Sequence, residues 1–478
     1  MKKLLLVPAI SILIQGCGTL KSVPYPSNFN SLDSKAVSYN LNSPKVEVSK
    51  LANQSHRLNQ DLVDKDILVS VSGGGARAAA FSLGVLAELE NLGYWTDSKV
   101  SIDALKEIDY FSTVSGGGWG VSSYLADKVK KDDVNYKLND NLQFIKKNFI
   151  AFSDGDIDCL PSQIEKHATN GLKMGHIFNQ DINNMKLPYL FINGTIYSNQ
   201  SPFVFTQGIS DYYRVDEFLG CEGKVSYKSG KNFNELPVSF AVASSGSVPG
   251  FYHNYATTHI CNPESDMFDS FYCAQGKSHI DKLILVDGGI YDNYGYQTAL
   301  EVISQTEASK VIIIIDSNAD TEIPFERELE ISEKKVGINT IMKAGFPART
   351  SAYNKMFKMS ASLLDVKTIT LDFFSVADFV NKTKDMDQGK LLSGLDKLKA
   401  HSETKVYCFD DDGTYINSEK DLKSKGDSMD CKANNYYRSG LMGKTTYKFD
   451  DYYFAILEEL GRLAVRVNAN EIKNKLYN

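Results

Sequence analysis

Three glycine-containing motifs in this chain each close an apolar run of strand length. They are SGGGAR at Ser72–Arg77, TVSGGG at Thr113–Gly118 and LILVDGG at Leu283–Gly289. A serine hydroxyl becomes a useful nucleophile when a base accepts its proton and donors stabilise the oxyanion that forms on attack. The motifs hold a serine, a carboxylate and closely spaced backbone amides, which is the chemistry of acyl-ester hydrolysis.

Ser115 is the candidate nucleophile. Gly116–Gly118 follow it directly, so the chain can turn sharply from strand to helix with the hydroxyl exposed. Gly73, Gly74 and Gly75 also follow a strand and open a helix. Their amides can converge at the positive end of that helix, where an anionic oxygen is stabilised, and we predict that they form the oxyanion hole.

Asp287 is the candidate base. It ends an apolar run, and the two glycines after it allow it to turn toward Ser115 and accept its proton without a histidine. A Ser-His-Asp triad is less favoured, because the one histidine after Asp287, His401, lies in a polar stretch. Arg77 could bind a substrate phosphate or carboxylate, or form a surface ion pair, and both interpretations stay open.

Apolar runs of strand length recur along the chain, and several are apolar at consecutive positions, as in strands buried on both faces. Helical patterns over Ala78–Leu92 and Tyr452–Val467 accompany them. This predicts an α/β domain with a mostly parallel sheet covered by helices on both faces, and a site at the carboxyl ends of the strands. The runs are Ile67–Val71, Ile108–Val114, Leu187–Ile192, Val238–Val242, Leu283–Val286, Val311–Ile315 and Val366–Leu371.

The N-terminus has the features of an export signal. Two lysines precede the apolar run Leu4–Ile14, which is too short to span a bilayer as a helix, and Gly16 precedes Cys17. This pattern resembles the lipobox of bacterial lipoproteins, which implies cleavage after Gly16 and lipid on Cys17. Gly18 then favours the outer membrane of a cell envelope. An ordinary secretory signal is the alternative.

The remaining chain divides by composition. We expect a signal peptide over residues 1–16, a tether rich in Ser, Asn, Pro and Lys over 17–62, and one folded domain over 63–478. Some polar stretches are longer than ordinary connections. We interpret them as insertions, near residues 126–186, 253–280 and 377–447.

Six cysteines besides Cys17 form an even set, which in an exported protein suggests disulfide bonds. The local pairs Cys261/Cys273 and Cys408/Cys431 would leave Cys159 with Cys221. The other pairings and free thiols remain open.

Composition and spacing exclude several other classes of function. No cysteine and histidine spacing typical of zinc sites is present, so we expect no metal and no cofactor. The formal net charge of −7 makes nucleic acid an unlikely partner. Gly440–Thr445 lacks the first glycine of a phosphate-binding loop, so we expect no nucleotide.

The three motifs together resemble the patatin-like phospholipase family and the related cytosolic phospholipases A. Val242–Pro249 and the Asp292-Asn293 pair add to the resemblance, which extends over about 66–316. It implies a three-layer α/β/α fold and a catalytic dyad. The chain departs from the family pattern at Thr113, where the family has glycine, and at Ala78.

The resemblance implies a serine hydrolase of phospholipase A or lysophospholipase type. Ser115 would attack an ester of a membrane glycerophospholipid or lysophospholipid, Asp287 would act as base, and water would release fatty acid from an acyl-enzyme. A transacylase could use the same dyad. An envelope lipoprotein that only binds lipid or protein is a third hypothesis, and it predicts that the dyad is lost.

Overall fold

The structure is a computed structural model. The N-terminal signal, Cys17, the tether, and the pairings Cys261/Cys273 and Cys408/Cys431 lie outside what it describes. It describes residues 65–96, 102–133, 135–153, 159–178, 187–197, 200–206, 215–221, 225–228, 234–249, 255–260, 280–306, 308–317, 354–372, 408–409, 415–416 and 451–477.

A mixed β-sheet forms the centre of the domain. In the described part of the chain it has ten strands, in the order β10-β9-β1-β2-β3-β8-β7-β5-β6, with β4 also paired to β3. A separate two-stranded sheet consists of β11 (Cys408–Phe409) and β12 (Tyr415–Ile416). The strands of the central sheet are β1 (Lys65–Val71), β2 (Tyr110–Val114), β3 (Tyr189–Ile196), β4 (Ser201–Phe205), β5 (Val215–Gly220), β6 (Val225–Lys228), β7 (Tyr255–Ile260), β8 (Ile280–Asp287), β9 (Ser309–Asp316) and β10 (Val366–Asp372).

The sheet has a parallel half and an antiparallel half. Strands β10, β9, β1, β2 and β3 pair in parallel. Beyond β3 every pairing is antiparallel, through β8, β7, β5 and β6. The predicted parallel sheet is therefore confirmed at the centre of a mixed sheet. Strand β7 places residues 255–260, which the sequence suggested as part of an insertion, inside the sheet.

Helices connect and cover the strands. No described helix has both the length and the apolar character of a membrane span. The helices are α1 (Gly75–Leu89), α2 (Gly116–Lys131), α3 (Leu138–Ser153), α4 (Leu160–Ile164, followed by a π-helical turn at Glu165–Thr169), α5 (Met174–Phe178), α6 (Val238–Ser245), α7 (Gly289–Asp292), α8 (Tyr296–Ser304), α9 (residues 354–363), α10 (Asp451–Val467) and α11 (Ala469–Tyr477).

The strand predicted at Val238–Val242 is wrong, because these residues begin helix α6. Every residue of α6 is buried. A helix buried on all sides needs no polar face, so its sequence lacks the 3.6-residue period that separates a helix from a buried strand. Pro237 directly before the helix agrees with a helix start, since proline suits positions where no amide donor is needed.

Both faces of the parallel half are covered, as predicted. On one face, Ser70 and Ser112 donate hydrogen bonds from their hydroxyls to the carbonyls of Tyr294 and Gly295, just before α8. On the other face, a Cβ built on Gly117 of α2 would lie 2.7 Å from a methyl carbon of Val71. The carboxyl ends of β1 and β2 therefore lie between two helical layers.

Helix α10 packs directly on α1. A Cβ built on Gly84 would lie 2.0 Å from the Glu458 carbonyl oxygen, so the backbones approach as closely as only glycine allows. The buried carboxylate of Glu88 accepts hydrogen bonds of 2.8 Å from both Arg462 and Arg466. This ion-pair network holds α10 against α1, the helix that follows Gly73 and Gly74.

One disulfide bond is present in the described part of the chain. It joins Cys159, just before α4, to Cys221 at the end of β5. The predicted pairing of these two residues is therefore confirmed, and it ties the helices after α2 to the antiparallel half of the sheet.

Candidate active site

Ser115 occupies the turn between β2 and α2. Its φ of 50° and ψ of −125° lie outside the regions that side-chain-bearing residues ordinarily adopt. Such a conformation persists only when the surroundings hold it, and it is common at functional sites. The sharp strand-to-helix turn expected at this serine is present.

The glycines after Ser115 permit close packing against the loop that follows β1. A Cβ on Gly116 would lie 1.8 Å from the Gly75 carbonyl oxygen, and one on Gly117 would lie 2.6 Å from that of Ser72. A side chain at either position would push the two loops apart. The turn at Ser115 and the glycine loop are thus neighbours because of these glycines.

Thr113, the departure from the family pattern, fits beneath the turn. Its hydroxyl donates a hydrogen bond of 3.2 Å to the Phe191 carbonyl on β3. A Cβ on Gly118 would lie 3.1 Å from the same hydroxyl oxygen. The threonine side chain therefore packs closely beneath Gly118.

Asp287 reaches Ser115 on an antiparallel strand rather than on a parallel one. On β3, Asn193 pairs with Val114 of β2, and Gly194 pairs with Asp287 of β8. Two strands running in opposite directions thus end at adjacent positions of β3. The Ser115 side chain lies close enough to the Asp287 carboxylate to act against the rise in its pKa.

The Asp287 carboxylate is 6% exposed. Burial raises its pKa to about 6, and hydrogen bonds from the Gly289 amide and the Ser115 hydroxyl act in the opposite direction. The Gly289 amide lies 2.7 Å from Oδ1. A carboxyl group with a pKa near neutrality is well matched to accept and return a proton.

Ser245, at the end of α6, supports both groups, and the sequence did not identify it. Its hydroxyl accepts a hydrogen bond of 2.8 Å from the Ser115 amide and donates to the Asn193 carbonyl. Its own carbonyl accepts a 3.0 Å hydrogen bond from the Gly288 amide. The resemblance across Val242–Pro249 was the available signal, but it did not indicate this contact.

The glycine loop divides into a fixed part and an open part. The Gly73 amide, one of the three predicted oxyanion donors, donates a 2.8 Å hydrogen bond to the Asn293 carbonyl. The amides of Gly74 and Gly75 have no acceptor among the described residues. They stand at the start of α1, where helix amides lack intrahelical partners. Of the three predicted donors, these two are therefore the ones whose amides have no acceptor in the described part of the chain.

Arg77 lies in the first turn of α1 and is 5% exposed. That burial excludes the surface ion pair as an explanation. One guanidinium nitrogen lies 3.4 Å from a Cβ built on Gly74, so the side chain borders the glycine loop.

The Asp292-Asn293 pair shapes the turn before α8. The Asp292 carboxylate accepts hydrogen bonds from the amides of Tyr294, Gly295 and Gln297 at 2.9 to 3.1 Å. Through these bonds the Asp292 carboxylate holds the backbone of the turn. The carbonyl of Asn293, in the same turn, accepts the hydrogen bond from the Gly73 amide. Among the described residues, no cluster of three or more His, Cys, Asp or Glu could hold a metal ion.

Comparisons with solved structures give distant similarity. Human GIVD cytosolic phospholipase A2 is 12% identical, with a TM-score of 0.43, and the alignment covers 90% of this chain and 62% of that chain. The same human enzyme in complex with methyl gamma-linolenyl fluorophosphonate is 13% identical, with a TM-score of 0.39 and the same coverage. This chain therefore spans less than two thirds of the length of these proteins. No curated protein sequence matches it.

The comparison with family models matches the part of the chain that holds the candidate site. Residues 69–300 match the family model described as patatin-like phospholipase, and this stretch contains the glycine loop, Ser115 and Asp287. Over residues 69–300 the chain therefore matches the patatin-like phospholipase family.

Proposed function

We propose that this protein is a serine hydrolase of phospholipase A or lysophospholipase type that acts on glycerophospholipids through Ser115 and Asp287. The observation that carries the proposal is the placement of Ser115 and the buried Asp287 at the ends of β2 and β8, which pair with adjacent residues of β3. The positive φ of Ser115 and the open amides of Gly74 and Gly75 support it.

In the proposed reaction, Asp287 accepts the hydroxyl proton as Ser115 Oγ attacks the acyl carbonyl carbon. The oxyanion that forms accepts hydrogen bonds from the Gly74 and Gly75 amides at the positive end of α1. When the ester C–O bond breaks, the proton on Asp287 passes to the leaving alkoxide, and the acyl group remains on Ser115. Water, deprotonated by Asp287, then attacks this ester and releases the fatty acid.

Arg77 is the proposed contact for the lipid phosphate. A guanidinium group binds phosphate with two parallel hydrogen bonds, and Arg77 borders the loop that holds the oxyanion. A transacylase would use the same residues, with an alcohol in place of water. The alternative of a silent binding protein has less support, because Ser115 and Asp287 are both present and follow or end strands that pair with adjacent residues of β3.

The N-terminal pattern supports a second part of the proposal, that lipid on Cys17 anchors the protein in a bacterial envelope, in the outer membrane. Radiolabelled palmitate should be incorporated into the parent protein and not into Cys17→Ser. Labelling of both would contradict acylation at this position.

The test of activity is fatty-acid release from mixed phospholipid vesicles by the chain from residue 18 onward, which retains every described residue. Ser115→Ala and Asp287→Asn should each abolish release. Ser122→Ala is the matched control, because its hydroxyl is buried on α2 with no partner among the described residues. A folded parent protein that leaves phospholipid, lysophospholipid and simple esters intact would favour the silent binding protein instead.

A further inference from the structure

Helix α9 presents an apolar face to solvent. Met356, Met359 and Leu363 are 65%, 68% and 84% exposed. Their spacing of three and four residues places them on one side of the helix. The opposite side is buried through Phe357 and Ala361. The helix is therefore fixed to the domain by one apolar face while a second apolar face remains exposed.

Two exposed lysines lie to one side of the apolar face. Lys355 and Lys358 are both exposed and alternate with Met356 and Met359 along the helix. A helix with apolar residues on its outer face and lysines beside them is typical of segments that lie in a membrane interface. Methionine suits such a surface because its flexible side chain adapts to an irregular partner.

A stack of aromatic rings connects α9 to the candidate active site. Phe357 stacks on Tyr296 with ring centroids 4.0 Å apart, and Tyr296 stacks on Tyr294 at 4.6 Å. Tyr294 follows Asn293, whose carbonyl accepts the hydrogen bond from the Gly73 amide. The first turn of α9 therefore lies against the same turn that fixes the glycine loop.

We propose that the exposed face of α9, formed by Met356, Met359 and Leu363 with Lys355 and Lys358, docks this protein on the surface of an anionic phospholipid bilayer. The inference rests on the proposed function, since a hydrolase of membrane lipids has to meet its substrate at an interface. Apolar side chains enter the region between headgroups and acyl chains, and the lysines pair with lipid phosphates. A row of exposed apolar side chains on a surface that faces water indicates an interaction site.

Vesicle sedimentation of the Ser115→Ala chain from residue 18 onward tests binding without hydrolysis. The probe is vesicles of phosphatidylglycerol and phosphatidylethanolamine, with phosphatidylcholine vesicles for comparison. We expect Met356→Ser/Met359→Ser/Leu363→Ser to weaken binding by about tenfold or more. Lys355→Glu and Lys358→Glu should each weaken binding to the anionic vesicles by at least about fivefold, with little effect on phosphatidylcholine. Tyr94→Ser is the matched control, since Tyr94 is 67% exposed and belongs to the turn at Leu92–Trp95 rather than to α9.

Three results would overturn the docking proposal. The triple variant could bind vesicles as the parent does, or the parent could fail to bind anionic vesicles. Sedimentation equilibrium could instead show a dimer that only the triple variant dissociates, with vesicle binding unchanged, which would assign the face to a second copy of the chain. A separate assay distinguishes these outcomes from failure of the proposed function. With Ser115 intact, the triple variant should still hydrolyse a water-soluble ester, because that substrate needs no membrane docking.

Discussion

The backbone amide of Ser115 donates a hydrogen bond of 2.8 Å to the hydroxyl of Ser245, which lies 130 positions further along the chain. The same hydroxyl donates to the Asn193 carbonyl of β3. Three separate elements, β2, β3 and α6, thus meet at the residue proposed as nucleophile. The unusual backbone conformation of Ser115 has a specific partner that holds it.

Ser245→Ala should lower activity without blocking substrate binding. The substitution leaves the buried Ser115 amide without an acceptor, which costs about 1–3 kcal/mol of stability, and it removes a restraint on the nucleophile. We expect kcat to fall by about tenfold with KM nearly unchanged, because the lost restraint acts on the chemical step. Ser244→Ala is the control, since that hydroxyl is buried with no partner among the described residues. Equal kcat for the two variants would contradict a positioning role for Ser245.

The pH dependence of kcat/KM should report the ionisation of Asp287. The base must be a carboxylate to accept the proton, and burial raises its pKa to about 6. We therefore expect kcat/KM to rise with pH and to level off above a midpoint near 6. A midpoint near 4, measured with a soluble ester to exclude effects on vesicles, would show that Asp287 is not the group that limits the reaction.

The raised pKa also predicts a pH-dependent effect on stability. Between the ordinary carboxyl pKa of 3.8 and the folded value of about 6, the folded protein binds a proton that the unfolded chain has released. The contribution of Asp287 to stability therefore falls as pH rises through this window. Asp287→Asn should be more stable than the parent at pH 8, by up to about 3 kcal/mol, with the difference vanishing near pH 3. Urea unfolding at both pH values measures it, and a parent protein more stable than the variant at pH 8 would refute the prediction.

Gly116→Ala should disrupt the site, and Gly118→Ala should not. A Cβ at position 116 would lie 1.8 Å from the Gly75 carbonyl oxygen, whereas one at 118 would lie 3.1 Å from the Thr113 hydroxyl, which needs only a small adjustment. We expect Gly116→Ala to reduce activity by at least about a hundredfold, because displacement of a reacting group by about 1 Å has effects of this size. Ester hydrolysis and melting temperatures of the two variants provide the comparison. Comparable activity in both would show that the two loops need not be in contact.

Removal of the Cys159–Cys221 disulfide should destabilise the domain. The bond closes a loop with a sequence separation of 62. Loop-closure entropy for this length corresponds to about 4 kcal/mol. Cys159→Ala/Cys221→Ala should show this loss in urea unfolding, and a reductant should lower the stability of the parent more than that of the variant. An equal response of both proteins to reductant would point to a different disulfide.

The sequence predicted the elements that carry the proposed dyad, because their signals are local. Continuous apolar runs ending in Ser115 or Asp287 indicate buried strands, and the glycines after them indicate sharp turns. Helix α6 gave no such signal, since a fully buried helix has the same apolar composition as a buried strand. The sequence could therefore place the ends of β2 and β8 but not the helix that lies beside them.

Contacts between distant residues were beyond sequence reasoning. Gly73 looks equivalent to Gly74 and Gly75 in the motif, and only the Asn293 carbonyl, more than two hundred residues later, distinguishes it. Ser245 is one of several serines in a small-residue segment, and its hydrogen bond to Ser115 depends on how α6 approaches β3. Such roles follow from the assembled fold rather than from residue type.

The packing of α10 on α1 determines when, during synthesis, the helix that follows the glycine loop gains its support. Arg462 reaches Glu88 across 374 positions, and Glu458 lies against Gly84 on the helix that begins at the glycine loop. During synthesis, Ser115 and Asp287 emerge long before α10 exists. A nascent chain therefore has the proposed nucleophile and base while the helix that begins at the glycine loop still lacks its support. The order in which the chain is made delays the packing behind this loop until α10 has folded onto α1.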